Sequence, residues 1–465
     1  MKARELNNLG VPKGTAMKKA LLCIQQAAGQ GMKQPQLRDS IAAVVEAPES
    51  YRDDPLWGPL AASLATAFKE QARYVGREEP APWRQWGDNL EASAVDQMAN
   101  ACKLPVSVAG ALMPDAHLGY GLPIGGVLAT KNCVIPYAVG VDIACRMKLT
   151  VLDLPTTTLE HKQDWLKQAI ERETVFGVGG RFKQPRQHDV LDADWNVTPI
   201  TKVNRDKARS QLGTSGSGNH FVEFGLLTFE KDELGLAAGT YLALLSHSGS
   251  RGTGAAVCAH YSQLAKEAHP ELPRELHTLA WLDLDSEAGA EYWAAMNLMG
   301  EYAAANHVCI HAAIAKNLAA EVLLDVENHH NFAWKETHLE QELIVHRKGA
   351  TPAGAGVLGI IPGSMGAPGY LVRGKGVAAS LMSASHGAGR KMSRTAAVAK
   401  FNWKDVKKFL DDRGVTLMSA GLDEVPMAYK NIDEVMASQR DLVDTVARFD
   451  PKLVKMAPAG ERPED

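Results

Sequence analysis

TYLALLSHSGSRG, residues Thr240–Gly252, is an apolar run that ends in a polar, glycine-rich loop. It reads as a β-strand that delivers a histidine and an arginine into a loop of small residues. ELIVHRKGATPAGAG (342–356) and GVLGIIPGSMGAPGYLV (356–372) repeat the layout. Helical stretches intervene. The pattern predicts an α+β protein: a mixed β-sheet core with surrounding helices, and strands that feed loops carrying polar residues, which is how scaffolds present sites.

Working outward, the N-terminal part has a different character. Met17, Leu21, Ile24 and Ala28 lie at helical spacing, so a helix is expected from about Gly14. A second is expected over residues 56–74. GREEPAPWRQWG (76–87) then breaks the pattern with prolines and charge. Residues 1–84 are therefore expected to form an additional helical N-terminal segment, and residues 85–465 the main domain. Near the C-terminus, Asn402 is placed to cap a helix with Trp403, Val406 and Phe409 inward, stopped by Gly414. Another helix is expected from Asn431, with Ile432, Val435, Met436, Leu442 and Val446 on one face. No internal repeat and no low-complexity tract is present.

Composition narrows the function classes. The chain has 465 residues, enough for a sizeable core, and its charge fraction and Gly and Pro content are those of a globular protein. No run of about 18 apolar residues predicts a membrane span. The N-terminus lacks a signal-peptide core. The six cysteines, Cys23, Cys102, Cys133, Cys145, Cys258 and Cys309, form no CxxC pair, and fit free thiols in a reducing cytoplasm. A net charge of −4 argues against a protein-wide basic surface, but says nothing about a local patch.

Four loops each offer residue types that transition metals accept. VGVDIACRM gives Asp142 and Cys145. GTSGSGNHFVEFG gives Asn219, His220 and Glu223. LLSHSGSRGTG gives His247 and Arg251. VENHHNFAW gives His329, His330 and Asn331. A thiolate with several imidazoles and a carboxylate suits zinc or manganese-like ions, and spacing alone does not fix which. A lone histidine or cysteine is more often a core residue. Here each follows a β-like run and is bracketed by Gly, Ser or Asn.

Phosphate handling has separate signals. There is no GxxxxGK[ST] motif and no strand-linked GxGxxG unit with its acidic partner, and no KxDG element. Arg347, Lys348, Arg390, Lys391 and Arg394 cluster in glycine- and serine-containing loops, and arginine forks bind phosphate bidentately. A solvated basic face is the plainer reading of either cluster. In SASHGAGRKMSR (383–394), however, His386 stands on a bare loop beside three cations. An imidazole in that setting can be base, ligand or nucleophile; as a nucleophile it forms a phosphoramidate that transfers readily.

MPDAHLGYGLPIGG, GVDIAC, GSGNHFVE, HSGSRG, HHN, HRKGAT, PGSMG and SHGAGRKMSR occur in that order between Ala109 and Lys455. Together they resemble the RtcB family of GTP-dependent RNA ligases. The resemblance implies an RtcB-like catalytic domain that joins an RNA 3′-phosphate or 2′,3′-cyclic phosphate end to a 5′-hydroxyl end, in tRNA splicing or RNA repair. It implies two Mn²⁺ ions, GTP as co-substrate, and guanylate carried on histidine. His386 then looks like the guanylated nucleophile. Cys145, His220, His247 and His330 look like metal ligands, with Asp142 a bridging carboxylate. Asn219, Glu223, Ser364, Tyr429 and Lys455 look like guanylate contacts, along with His386 itself. Arg251, Arg390 and Arg394 look like RNA phosphate-binding residues. The implied partners are RNA and GTP, with the need for an activating protein left open and no membrane.

The chain departs from the family pattern in places. Ala144 and Arg146 flank Cys145 where the family has asparagine or glycine before it and glycine after it. His307 follows Asn306 where the family usually has arginine. The chain continues past LVKMAP, where family members commonly end. Two rivals stand beside the ligase reading. One is 3′-phosphate end capping or damage-specific repair without general ligation. The other is a non-catalytic RNA-binding protein, against which the complete ligand set argues.

Overall fold

The computed structural model describes residues 1–12, 14–71 and 74–461. Its backbone contacts divide into two compact units.

One unit comprises Met1–Gly76 and Lys266–His277. Helices Ala3–Asn8, Thr15–Gly29, Gln34–Glu46 and Gly58–Gln71 pack around Leu6, Ile24, Ile41, Trp57, Leu60 and Leu64. The buried stripe of Thr15–Gly29 runs through Met17, Ala20, Cys23, Ile24 and Ala27. Leu21, expected on that stripe, is exposed instead. A stripe of small residues allows close helix packing, and Leu21 lies off its axis.

The other unit, Arg77–Ala265 with Thr278–Asp465, is α+β with mixed sheets. Its first strand, Trp83–Gln85, straddles residue 84 and pairs in parallel with Ser107–His117. Ile124–Thr130, Gln341–Lys348 and Asn331–His338 complete that five-stranded sheet in antiparallel order. The larger sheet runs Leu358–Ile361, Gly369–Gly374, Val443–Met456, Phe221–Phe229, Gly239–Ser248, Arg146–Leu152 and Val322–His329, all antiparallel, with Thr416–Ser419 added in parallel to Val443–Met456.

The opening stretch is the axis of this sheet. On one face, Leu242 and Leu244 pack with Ile310 and Ile314 of helix Glu287–Asn317 and with Leu166 of helix Gln163–Glu173. On the other, Ala243 and Leu245 pack with Met147, Leu149 and Val151. Burial on both faces is why the run is apolar throughout. The two-residue alternation then continues into the polar part. Ser246 turns to the helix side and meets His307 and His311, both at 2.8 Å. His247 turns to the opposite face.

Helix Trp403–Asp411 starts where expected, with the Asn402 side chain accepting from the Asp405 N–H at 3.1 Å. The helix after Asn431 is shorter than its spacing predicts. It ends at Ala437, and Val446 lies in the strand Val443–Met456. That strand has partners on both sides, Gly369–Gly374 and Phe221–Phe229, whose ladder bonds outweigh a weak helical period. Among the described residues no helix is long and apolar enough to cross a membrane.

Candidate active site

Strand ends build one cavity. Asp142 and Cys145 precede strand Arg146–Leu152, Asn219 and His220 precede Phe221–Phe229, and His247 ends Gly239–Ser248. His330 sits between Val322–His329 and Asn331–His338. Pairing of Phe221 and Met147 with His247 fixes these ends side by side.

Among the described residues, two groups of metal-donor atoms form: Cys145 with His247 and His330, and Cys145 with Asp142 and His220. Cys145 belongs to both. Its Sγ lies 3.1 Å from His247 Nε2 and 3.5 Å from His220 Nε2. His247 Nε2 is 3.2 Å from His330 Nε2, and His220 Nε2 is 3.1 Å from Asp142 Oδ2. The far ring nitrogens fix the tautomers. His220 Nδ1–H donates to the Ser215 carbonyl at 2.9 Å and His247 Nδ1–H to the Asn219 carbonyl at 3.1 Å. Both Nε2 atoms therefore face inward.

These atoms do not satisfy one another. Asp142 Oδ2 and His330 Nδ1 are buried without a hydrogen-bond donor or acceptor. Burial pushes the His247 imidazole down to about 3, helped by His220, and holds His330 well below its ordinary value. Two imidazoles kept neutral by burial, His247 and His330, beside the His220 ring, a cysteine sulfur and a carboxylate are a donor set that a transition-metal ion completes. Burial alone would raise the Asp142 carboxyl, but His220 and Cys145 outweigh it and the net shift is downward. Its Oδ1 accepts from Ser250 N at 3.0 Å and Ser250 Oγ at 3.3 Å. Gly249 is required here, because a Cβ at that position would collide with the Asp142 carboxylate.

His386 faces the same cavity, its ring centroid 4.9 Å from that of His330. Its Nδ1 is 2.7 Å from Asp115 Oδ2, which also accepts the backbone N–H of His386 at 3.1 Å and of Gly387 at 3.3 Å. Burial would raise the Asp115 carboxyl, yet the His386 hydrogen bond and charge hold it below the usual carboxylate range. An ionised Asp115 keeps the proton on Nδ1 and leaves Nε2 as the nucleophilic atom. Gly389, at φ +72, lets the loop approach, since any Cβ there would strike the Asp115 carbonyl. Asp115 was missed in the sequence. The available signal was a lone carboxylate inside the apolar strand Ser107–His117.

The cavity wall also carries Arg390, Arg394, Glu424 and Tyr429. Arg390 Nη1 donates to Glu424 Oε2 at 3.0 Å and Arg394 Nε to Glu424 Oε1 at 2.8 Å. Tyr429 OH also bonds Glu424, and burial followed by that carboxylate's charge pushes the phenol well above its ordinary value. Glu424 is the second residue the sequence reading missed. It lies 30 residues from Arg394, beyond any local period.

The cavity collects Asp142, Cys145, Asn219, His220, Glu223, His247, His330, Ser364, His386, Arg390, Arg394 and Tyr429. Glu223 is buried, which raises its carboxyl well above the ordinary value. Arg251 and Lys455 do not line it. Arg251 is buried at φ +58, with Nε donating to Thr214 Oγ1 at 3.0 Å. Lys455 alternates away from the cavity-lining Val454 and Met456, and its ammonium lies 5.5 Å over Phe176. His329 packs instead on Phe332 and Trp334. Arg347 and Lys348 are also spent internally. Arg347 forks onto Glu336 at 2.6 and 2.9 Å, and Lys348 Nζ donates to the Tyr120 carbonyl at 2.5 Å. Arg146 points to the helix side, bonded to Glu327 at 2.8 Å and the Gly300 carbonyl at 3.3 Å.

A family model described as tRNA-splicing ligase RtcB matches residues 97–456 of this chain. The RNA-splicing ligase RtcB of Escherichia coli (strain K12) is 36% identical over 407 residues, covering 79% of this chain and 95% of that protein. The tRNA-splicing ligase RtcB of Methanococcus maripaludis is 31% identical over 451 residues, covering 80% and 92%. That of Archaeoglobus fulgidus is 32% identical over 442 residues, covering 78% and 90%.

Proposed function

The chain belongs to the RtcB family, and on that premise we propose that it is an RNA ligase that joins a 3′-phosphate or 2′,3′-cyclic phosphate end to a 5′-hydroxyl end through guanylate carried on His386. The observation that carries this reading is the pair Asp115–His386 at 2.7 Å, aimed into a cavity that also holds both donor groups. The chemistry is assigned to the α+β unit, which takes in the expected 85–465 domain apart from Lys266–His277 and begins at Arg77.

His386 Nε2 attacks the α-phosphorus of GTP, the bond to the bridging oxygen breaks, and pyrophosphate leaves. Asp115 holds the Nδ1 proton and balances the charge that grows on the ring. A 3′-phosphate oxygen of RNA then attacks the same phosphorus, the N–P bond breaks, and the RNA end carries the guanylate. The 5′-hydroxyl of the second strand attacks the RNA phosphorus and GMP leaves. A cyclic phosphate is opened by water beforehand. Glu223, whose buried carboxyl has most to gain from N–H donors, faces the guanine edge with Asn219, Ser364 and Tyr429 around the nucleotide. Arg390 and Arg394 hold phosphate oxygens. Lys455 and Arg251 act from outside the cavity lining.

Two Mn²⁺ ions would be held by these donors, Cys145, His247 and His330 in one group and Asp142, Cys145 and His220 in the other; when bound they would supply charge that stabilises the attacked phosphate. Incubation with α-labelled GTP and Mn²⁺, followed by denaturation, tests the reading. Acid-labile label is expected on the wild type and absent from His386→Ala. Asp115→Asn is expected to label roughly 100-fold more slowly, in line with loss of a base-orienting partner. Label retained in His386→Ala would refute the assignment.

A further inference from the structure

Residues 118–123 connect strand Ser107–His117 to strand Ile124–Thr130, and His117 and Ile124 at its two ends both line the cavity. The backbone of this connection is held from several sides. Gln97 brackets Gly119, its Nε2 donating to the carbonyl at 2.7 Å and its Oε1 accepting the N–H at 3.0 Å. Glu91 accepts the Leu118 N–H at 3.3 Å. The buried Lys348 ammonium donates to the Tyr120 carbonyl. Gly121, at φ +75, packs so closely on Thr278 that a Cβ would lie 2.8 Å from its carbonyl oxygen.

On this fixed backbone the large side chains face water. Tyr120 is 71% exposed and Leu118 is 55% exposed. The neighbours of Tyr120 are Gly119 and Gly121, so no adjacent side chain shields its ring. A mobile loop exposes aromatics by default. A loop clamped by a buried lysine and a bidentate glutamine presents one.

We infer that Tyr120, with Leu118 beside it, is a stacking platform for a nucleobase of the RNA at or next to the reacting end. This rests on the ligase reading. Tyr120 is four residues from Ile124, so its Cα lies no more than about 14 Å from that of a cavity-lining residue. A strand whose end enters the cavity must pass this rim. The net charge of −4 gives the chain no broad electrostatic hold on RNA, and aromatic stacking supplies affinity without sequence preference.

The test reads binding rather than joining. Dissociation constants are measured for 3′-phosphate and 5′-hydroxyl oligoribonucleotides, each with a normal or an abasic terminal nucleotide. Tyr120→Ala is expected to weaken binding of one intact oligonucleotide about tenfold, within the range for one stacked base. Tyr120→Trp retains wild-type affinity, which separates stacking from misfolding. Removing the terminal base of that oligonucleotide weakens the wild type by the same factor and abolishes its difference from Tyr120→Ala. Equal affinity of wild type and Tyr120→Ala for both intact oligonucleotides overturns the proposal and leaves the loop as a protein-docking surface. A deficit that persists on both abasic strands overturns it as well. Joining is scored in parallel: a wild type with the Tyr120-dependent binding that joins no ends fails the ligase reading alone.

Discussion

In one part of the cavity wall, Asp142, Cys145, His220, His247 and His330 bring metal-donor atoms together; in another, Arg390 and Arg394 are already bonded to Glu424. Both parts were expected to bind ions. The first leaves two buried atoms, Asp142 Oδ2 and His330 Nδ1, without a hydrogen bond. A cation there removes a standing cost. The second is satisfied internally, so an incoming phosphate must compete with a buried carboxylate for the same guanidinium groups. The contrast sharpens with Arg347, whose guanidinium is committed to Glu336, Ser383 and Leu381 and does not line this cavity. Charge in a glycine-rich loop marks an ion site only to the extent that the fold leaves the charge unspent.

The largest effect should come from the atom shared by both donor groups. Cys145→Ala is expected to lose metal from both and to slow guanylation at least about 1000-fold, the scale of several kcal/mol of transition-state stabilisation. Elemental analysis of the purified variant checks the metal and labelled GTP checks the chemistry. Full metal content in Cys145→Ala would mean the two groups are independent. On the proposed reading, Arg394→Ala removes one charge-assisted bond to phosphate. Joining should fall roughly 10- to 100-fold while guanylation is retained. Equal loss of both steps would place Arg394 at the guanylate instead.

The same contrast explains what the sequence could and could not disclose. The donor cluster was readable because its residues stand beside β-like runs among small residues, although Asp142, Cys145 and His220 precede their strands where the sequence pattern had them following one, and only His247 and His330 stand at strand ends; strand alternation turns His247 to the face opposite Ser246. Glu424 was not readable, since nothing near it in sequence says that it meets Arg390 and Arg394. Asp115 was quoted within a motif but given no role, because a carboxylate in a strand is informative only once His386 is seen opposite it. The helix after Asn431 is shorter than its apolar spacing implies for a related reason. Leu442 and Val446 fit a helical face, but sheet partners distant in sequence decide the matter. The helices Ala3–Asn8 and Gln34–Glu46 went unpredicted, since their apolar stripes are short and mixed with charge.

Support behind the donor cluster predicts a smaller effect. Asn306 is fully buried on helix Glu287–Asn317 and ties the loop that orients His220. Its Oδ1 accepts the Gly213 N–H at 2.6 Å, and its Nδ2 donates to the Thr214 carbonyl at 2.9 Å and Ser248 Oγ at 3.2 Å. Ser248 Oγ in turn donates to the Ser215 carbonyl at 2.6 Å, the atom that takes the His220 Nδ1 proton. Asn306→Ala should weaken metal affinity about tenfold, the low end for loss of a ligand's outer support. A Co²⁺ titration followed by its absorption spectrum measures this without turnover. An unchanged affinity with lowered thermal stability would make Asn306 a packing residue only.

The smallest effect concerns the residue before the shared ligand. Ala144 sits at φ +55, and its N–H donates to the Asn331 carbonyl at 2.6 Å. A left-handed conformation costs an alanine roughly 1–2 kcal/mol that glycine does not bear. Ala144 recovers part of that cost by packing its methyl group, fully buried, toward Gly300. Ala144→Gly should therefore stabilise the fold by no more than about 1 kcal/mol, since relief of strain exceeds the lost burial of one methyl group. Metal content should not change. Denaturant unfolding of the two proteins decides the sign. A less stable glycine variant would mean that the methyl contact, rather than the backbone turn, holds Cys145 in register with its four partners.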